Sequence, residues 1–203
     1  MFITLYSNPD SSMSHRVRFV IMEKKLNANI VELSDINDSK ELKALVPNGS
    51  LPILKERDSI INDPNIIMYY LDERYPAPSL MSGYPVLRAK TRLTISRIDR
   101  DWHSMACLAE QNPGKAEEAK SVLRDSFKAL SPIFSETNYF MSEEMTLADC
   151  SLTTLLWRLP KIGIDLDDNM GAVKDYAIRM FERESFQKSL STEEQKITQT
   201  IIS

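Results

Sequence analysis

The chain has little of what builds a metal or redox centre: two cysteines and two histidines in 203 residues. Cys107 and Cys150 stand far apart and lack metal-ligand spacing, and with only His15 and His103 beside them a zinc cluster is out of reach. Each cysteine sits in an apolar helical pattern, which predicts two buried, reduced thiols. No apolar stretch approaches the ~20 residues that span a bilayer. The N-terminus lacks a basic segment followed by an apolar run, so no signal peptide is expected and the chain reads as soluble and cytoplasmic. An excess of positive charge is also missing. Lys and Arg number 25 against 29 Asp and Glu, a net charge of −4 with a pI near 5.3. That balance argues against a protein that grips nucleic acid directly. The charges are interspersed, and neither internal repeats nor low-complexity segments occur.

What is present is an ordinary globular composition, 42% hydrophobic and 27% charged, enough to bury a core. Phe2 to Tyr6 reads as a buried strand, Ser7 to Ser14 as a polar loop, and His15 to Leu26 as a helix. Ile30, Val31 and Leu33 give a second strand, and Ser39 to Val46 a short helix. From Pro47 the pattern sharpens. Asn48-Gly49 is a turn signal, Leu51-Pro52-Ile53-Leu54 a short strand with a proline at its start, and Lys55-Glu56-Arg57-Asp58 a hairpin loop before the strand Ser59 to Ile61. Asp63-Pro64 marks a helix start, with a side-chain acceptor at the N-cap and proline at the first helical position. That helix runs to Tyr75 and is closed by Pro76-Ala77-Pro78. The order is that of a compact α/β unit with a mixed sheet.

After Pro78 the periodicity is helical throughout. Val86 to Gln111, Lys115 to Phe134, Thr146 to Leu159 and Gly171 to Arg183 predict four helices, and Ser191-Thr192-Glu193-Glu194 has capping-box spacing. The predicted division is 1–76 for the α/β domain, 77–85 for a linker and 86–203 for an all-helical domain. His15, Arg16 and Arg18 read as a solvated face or a subunit contact on the first helix. Arg88, Arg92, Arg97 and Arg100, with Asp99 and Asp101, are expected to pair across subunits.

A thioredoxin-like α/β unit, an apolar-proline-apolar turn and an all-helical second half together resemble the glutathione S-transferase fold. On that resemblance Leu51-Pro52 stands where the fold places a cis-proline beside its ligand, and Thr146-Leu147-Ala148-Asp149 matches its structural capping box. Ser11 and Ser12 are spaced like the loop of serine-type members, the maleylacetoacetate isomerases among them. Ser11 would then be the catalytic hydroxyl that stabilises a glutathione thiolate; alternatively, the loop serines are only polar or capping residues. Where the fold has an acidic residue followed by Ser to hold the γ-glutamyl carboxylate, this chain has Asp63-Pro64. The hydroxyl and one amide donor are gone. Ser11, Leu51, Pro52, Asp63 and Pro64 are thus expected to form a vestigial glutathione site, with no cofactor and no metal.

Within the fold, Ile66-Ile67-Met68-Tyr69-Tyr70-Leu71-Asp72-Glu73-Arg74-Tyr75-Pro76 looks like the stringent starvation protein A family. So do Leu155-Leu156-Trp157-Arg158-Leu159-Pro160 and Phe181-Glu182-Arg183-Glu184-Ser185-Phe186. That resemblance implies a homodimeric, non-catalytic regulator that binds RNA polymerase holoenzyme, core with its primary sigma factor. It would alter promoter use under starvation or stress, with no direct contact to nucleic acid or membrane. Relatives carry Pro-His-Pro in the linker as part of an exposed pocket. Pro76, Ala77, Pro78 and Tyr84 are the matching residues here, although the Ala77 position lacks the imidazole. The alternatives are an ordinary interdomain linker at those prolines and a glutathione-dependent transferase or isomerase using Ser11.

Overall fold

A computed structural model describes residues 3–47, 49–166 and 170–197. By their contacts these fall into two compact units, Met1–Ser79 with Glu184–Lys196, and Leu80–Arg183. The segment Glu184–Lys196 therefore goes with the first unit, whereas the sequence counts it in the helical half.

The first unit is built on a four-stranded sheet of β1 (Ile3–Ser7), β2 (Ala28–Glu32), β3 (Ile53–Glu56) and β4 (Ser59–Ile61), in the order β2-β1-β3-β4. β1 lies parallel to β2 and antiparallel to β3, so Leu5 faces Ile30 on one side and Leu54 on the other. A parallel pair needs a crossover, which helix α1 (Ser12–Glu23) provides. Alternation along β1 buries Ile3, Leu5 and Ser7, and Arg18 of α1 donates to the Ser7 hydroxyl (2.5 Å) on that face. A second cluster packs Tyr6, Leu33, Ile36, Leu42, Val46, Leu51, Ile53 and Ile60, using the 3₁₀ turn Ile36–Asp38 and helix α2 (Lys40–Leu45). β3 extends through Lys55 and Glu56, so the hairpin loop is only Arg57-Asp58, with Arg57 at φ 55°. A two-residue loop of this twist needs positive φ.

Helix α1 departs most from expectation. It begins at Ser12, three residues before the predicted start, because the Ser11 hydroxyl accepts from the Ser14 amide and draws the serine loop into the first turn. His15, Arg16 and Arg18 are buried and form no solvated face. His15 and Arg18 find partners in the returning segment, which supplies helix α9 (Glu184–Ser189) and the 3₁₀ turn Glu194–Lys196. Arg18 donates to Glu194, to the Ser189 carbonyl (2.9 Å) and to Ser7. His15 Nε2 lies 2.9 Å from the Ser189 hydroxyl. Phe186 meets both the His15 and Phe19 rings at about 5 Å. The Ser191–Glu194 spacing forms a reciprocal cap, with the Ser191 amide on Glu194 Oε2 (2.9 Å) and the Glu194 amide on Ser191 Oγ (3.1 Å).

The second unit is helical. Helix α4 (Pro85–Arg97), the π-helical stretch Ile98–His103 and α5 (Ser104–Gln111) replace the single helix predicted over 86–111. Cys107 on α5 is half-buried, 3.5 Å from His103 Nε2, while Cys150 is fully buried. Arg100 pairs with Asp101 of the same chain (2.7 Å), and both side chains are exposed. α7 (Leu147–Arg158), all twelve residues of which are buried, packs on α4 and α8 (Gly171–Phe181), and α8 packs in turn on α6 (Ala116–Glu136). A helix with no solvated turn must satisfy its first amides internally. Thr146 accepts from the Ala148 amide, and Asp149 accepts from the Thr146 amide (2.7 Å), the Phe140 amide (2.8 Å) and the Tyr176 hydroxyl (2.9 Å). Burial pushes the Asp149 carboxyl up, against the pull of these donors, and pushes the Tyr176 phenol up as well.

Glu194→Ala would leave the Arg18 guanidinium buried without this anion. The expected loss is about 3–5 kcal/mol, the usual cost of breaking a buried ion pair from one side. It is read by denaturant unfolding against Lys196→Ala, an exposed position expected to stay within about 0.5 kcal/mol of the parent. Equal midpoints for the two variants would show that the returning segment does not hold the first unit together.

Candidate functional site

One end of the sheet gathers the residues that the sequence singles out in the first unit. Tyr6 pairs with Ile53 and Leu54 with Ile61. That register brings the loop after β1, the turn before β3 and the chain after β4 to the same end of the sheet. Ser11 stands in the first of these, Leu51 and Pro52 in the second, and Asp63 and Pro64 in the third. α1 packs on α3 (Pro64–Arg74), and Arg16 Nη1 donates to Asn65 Oδ1 (3.2 Å), joining the N-terminal turns of the two helices. Tyr6 itself is half-buried and packs into the second cluster.

The Leu51–Pro52 peptide is cis. Pro52 is buried, and among the described residues Leu51 makes no main-chain hydrogen bond. This leaves main-chain groups open just before β3, of the kind that accept the backbone of an extended ligand. The half-buried Ser11 hydroxyl uses its lone pair as the N-cap acceptor of α1 (3.4 Å from the Ser14 nitrogen). Its own proton stays available to donate. Ser11 on its own is therefore compatible both with a cap and with a thiolate donor.

The third position is different. Asp63 Oδ1 accepts from the Asn65 amide and from the Ile66 amide, both at 2.9 Å. Pro64 occupies the first helical position and has no N–H. A helix N-terminus is an anion site because its first amides point outward unpaired. Here a carboxylate of the chain itself occupies that place, and its negative charge would face any incoming carboxylate. A ligand relying on this corner loses two charge-assisted hydrogen bonds, each worth roughly 1.5–3 kcal/mol. That corresponds to about 100-fold to 10,000-fold in affinity.

The remaining residues lie elsewhere. Thr146 and Asp149 are the buried cap of α7 in the second unit. Pro76, Ala77 and Pro78 are exposed in the first unit, and the Ala77–Pro78 peptide is also cis, a feature that the sequence does not signal. Tyr84 stands at the N-terminal boundary of α4 in the second unit, makes no side-chain cap bond and is 74% exposed.

Sequence reasoning missed how the linker is approached. Glu56 is buried and takes hydrogen bonds from the Tyr70 hydroxyl (2.7 Å) and the Tyr75 hydroxyl (3.1 Å), pinning α3 to the hairpin. The hydrogen bond to Glu56 holds the Tyr70 phenol above its ordinary pKa. Burial, then the same carboxylate, does so for Tyr75. Lys24 at the end of α1 reaches Asp72 Oδ1 (2.7 Å) and the Pro78 carbonyl (2.6 Å). An alternating tyrosine pattern and a lysine after a helix give no long-range signal of such partners. Among the described residues no group of three or more His, Cys, Asp and Glu is placed to hold a metal, and no helix is long and apolar enough to cross a membrane.

Calorimetric titration with glutathione is expected to give no measurable heat at ligand concentrations that saturate a transferase. Asp63→Glu with Pro64→Ser, which restores the acid-plus-serine pattern, is expected to raise affinity by about 100-fold or more. Tight binding by the parent chain would contradict a closed anion corner.

The comparisons with known proteins agree with this geometry. Residues 5–79 match the glutathione S-transferase N-terminal domain and residues 98–184 the C-terminal domain. The chain is 40% identical over 197 residues to a stringent starvation protein A homolog of Coxiella burnetii, covering 96% of this chain and 94% of that protein. It is 39% identical over 191 residues to the homolog of Haemophilus ducreyi, covering 93% and 89%. Among solved structures, the theta class glutathione S-transferase of Xanthomonas axonopodis pv. citri, with glutathione bound, superimposes with a TM-score of 0.82. It is 18% identical, over 94% of this chain and 97% of that one, which shows the shared fold. The chain belongs to the stringent starvation protein A family, in the glutathione S-transferase fold.

Proposed function

We propose that this protein is a non-catalytic transcription regulator that binds RNA polymerase holoenzyme and changes promoter use under starvation or stress. The observation that carries the reading is Asp63. Its carboxylate fills the anion corner from within and is followed by a proline that cannot donate. The open backbone before β3 is kept while the ligand's charge anchor is taken, which is how a transferase scaffold would look after conversion to a binding module. Family membership supports the same reading. A net charge of −4 suits a protein that reaches promoters through a partner and does not neutralise phosphates itself.

The contact surface in this proposal is the stretch Pro76, Ala77, Pro78 and Tyr84. All four side chains are exposed. Proline restricts the backbone before binding, which lowers the ordering cost, and tyrosine is enriched at interfaces because it joins an apolar ring to a polar tip. Pro76→Ala, Pro78→Ala and Tyr84→Ala combined are expected to abolish capture of purified RNA polymerase holoenzyme while leaving the far-UV circular dichroism unchanged. Capture at parental strength would remove this surface from the assignment.

The protein is also proposed to act in the cytoplasm as a homodimer. Val86, Leu87 and Leu93 of α4 are 67%, 46% and 53% exposed. Beside Leu93 lies a cleft of about 600 Å³ floored by Ile98, Trp102, Leu130 and Ile133. Exposed apolar surface of this kind marks association sites. Light scattering is expected to give twice the 23.2 kDa chain mass, and Leu93→Glu to return it to the single-chain value. A parent protein that scatters as one chain would overturn the dimer.

A further inference from the structure

Lys24 is an expensive residue for its position. Its side chain is 0% exposed and that of Asp72 5% exposed. Burying two charges in apolar surroundings is at best a small net gain over two well-packed hydrophobic side chains. The pair therefore invites a reason beyond stability, and the second contact of the ammonium supplies one. Nζ lies 2.7 Å from Asp72 Oδ1 on α3 and 2.6 Å from the carbonyl oxygen of Pro78 in the linker.

Pro76 and Pro78 have no N–H, so two of the three residues 76–78 can be held through the main chain only by their carbonyls. The side chains of Pro76, Ala77 and Pro78 are exposed. A donor to a carbonyl is therefore an effective anchor for this stretch, and an ammonium on a long flexible stem carries three of them. Asp72 keeps that ammonium aimed upward from α3. On the near side, Tyr75 is fixed by its amide to Leu71 (3.0 Å) and its hydroxyl to Glu56. The result is a segment exposed on its outer side and tied down on its inner side.

We propose that Lys24 is the positioning residue of the partner surface: with Asp72 it fixes the backbone of Pro76–Ser79 in one shape, and that shape is what the polymerase recognises. The inference rests on the polymerase reading above and adds the interior residue on which it depends. Lys24 touches no partner itself; it acts through the Pro78 carbonyl.

The test uses the full chain carrying Lys24→Met with Asp72→Leu, which removes both charges together and leaves neither buried alone. The thermal transition is expected to persist. The ¹⁵N order parameters of the Ala77 and Ser79 amides are expected to fall from about 0.85 to below about 0.6. Affinity for purified RNA polymerase holoenzyme is expected to fall about tenfold or more, although Pro76, Ala77, Pro78 and Tyr84 are unchanged. Asp72→Asn, which keeps the volume and an acceptor but drops the charge, is expected to give intermediate values and serves if the double variant does not fold. Unchanged order parameters in a folded variant would overturn the positioning role. Lowered order with undiminished affinity would overturn the claim that the shape is recognised. Failure of the parent chain to bind polymerase sinks the functional reading instead, and the order parameters then still decide whether Lys24 positions the linker.

Discussion

Helix α1 carries charge into the interior, and the rest of the first unit is arranged around the need to answer it. Arg16, Arg18 and Lys24 are all buried, and a buried cation persists only with an anion or a full set of acceptors. Arg18 draws Glu194 and the Ser189 carbonyl from the returning segment. Lys24 draws Asp72 from α3 and a carbonyl from the linker. Arg16 draws Asn65 from the first turn of α3. One helix thus fixes the tail, the third helix and the linker by electrostatic demand. The loop that carries Ser11 is held within the same network, because Arg18 reaches Ser7 and the Asn8 carbonyl, and Ser191 reaches the Pro9 carbonyl (2.5 Å).

The fold class was legible in the sequence, and the reason is locality. A proline after an apolar residue, an Asp-Pro helix start and a Thr-x-x-Asp box each express their chemistry within four residues. Asp63 and Thr146 accordingly cap the helices that their spacing announces. The buried cations were not legible, since their partners are distant: 176 positions separate Arg18 from Glu194, and 48 separate Lys24 from Asp72. Three cations near a helix start look like a wet surface unless the answering acids are known. The early start of α1 was hidden for a related reason, as serine serves loops and caps equally well. Nothing in Ile98-Asp99-Arg100-Asp101-Trp102-His103 announces a π-helical stretch. Of the candidate site, the corner at Asp63 could be read from residue types alone. The inner support of the linker could not.

The two surfaces in the first unit differ in how they are completed. At the end of the sheet, the Leu51 backbone stays open while the helix amides nearby are satisfied by the chain's own carboxylate. At the linker, the backbone is satisfied from inside and the side chains are left outward. The first is open backbone beside a helix N-terminus filled by the chain itself, and the second is a row of exposed side chains over a backbone bonded from within.

The return of Glu184–Lys196 to the first unit has a consequence for how the molecule is made. A ribosome releases the strands and α1 early, but the anion that Arg18 requires lies more than a hundred residues downstream. The unit that is synthesised first therefore has Arg18 unanswered until Glu184–Lys196 has followed the helices of the second unit.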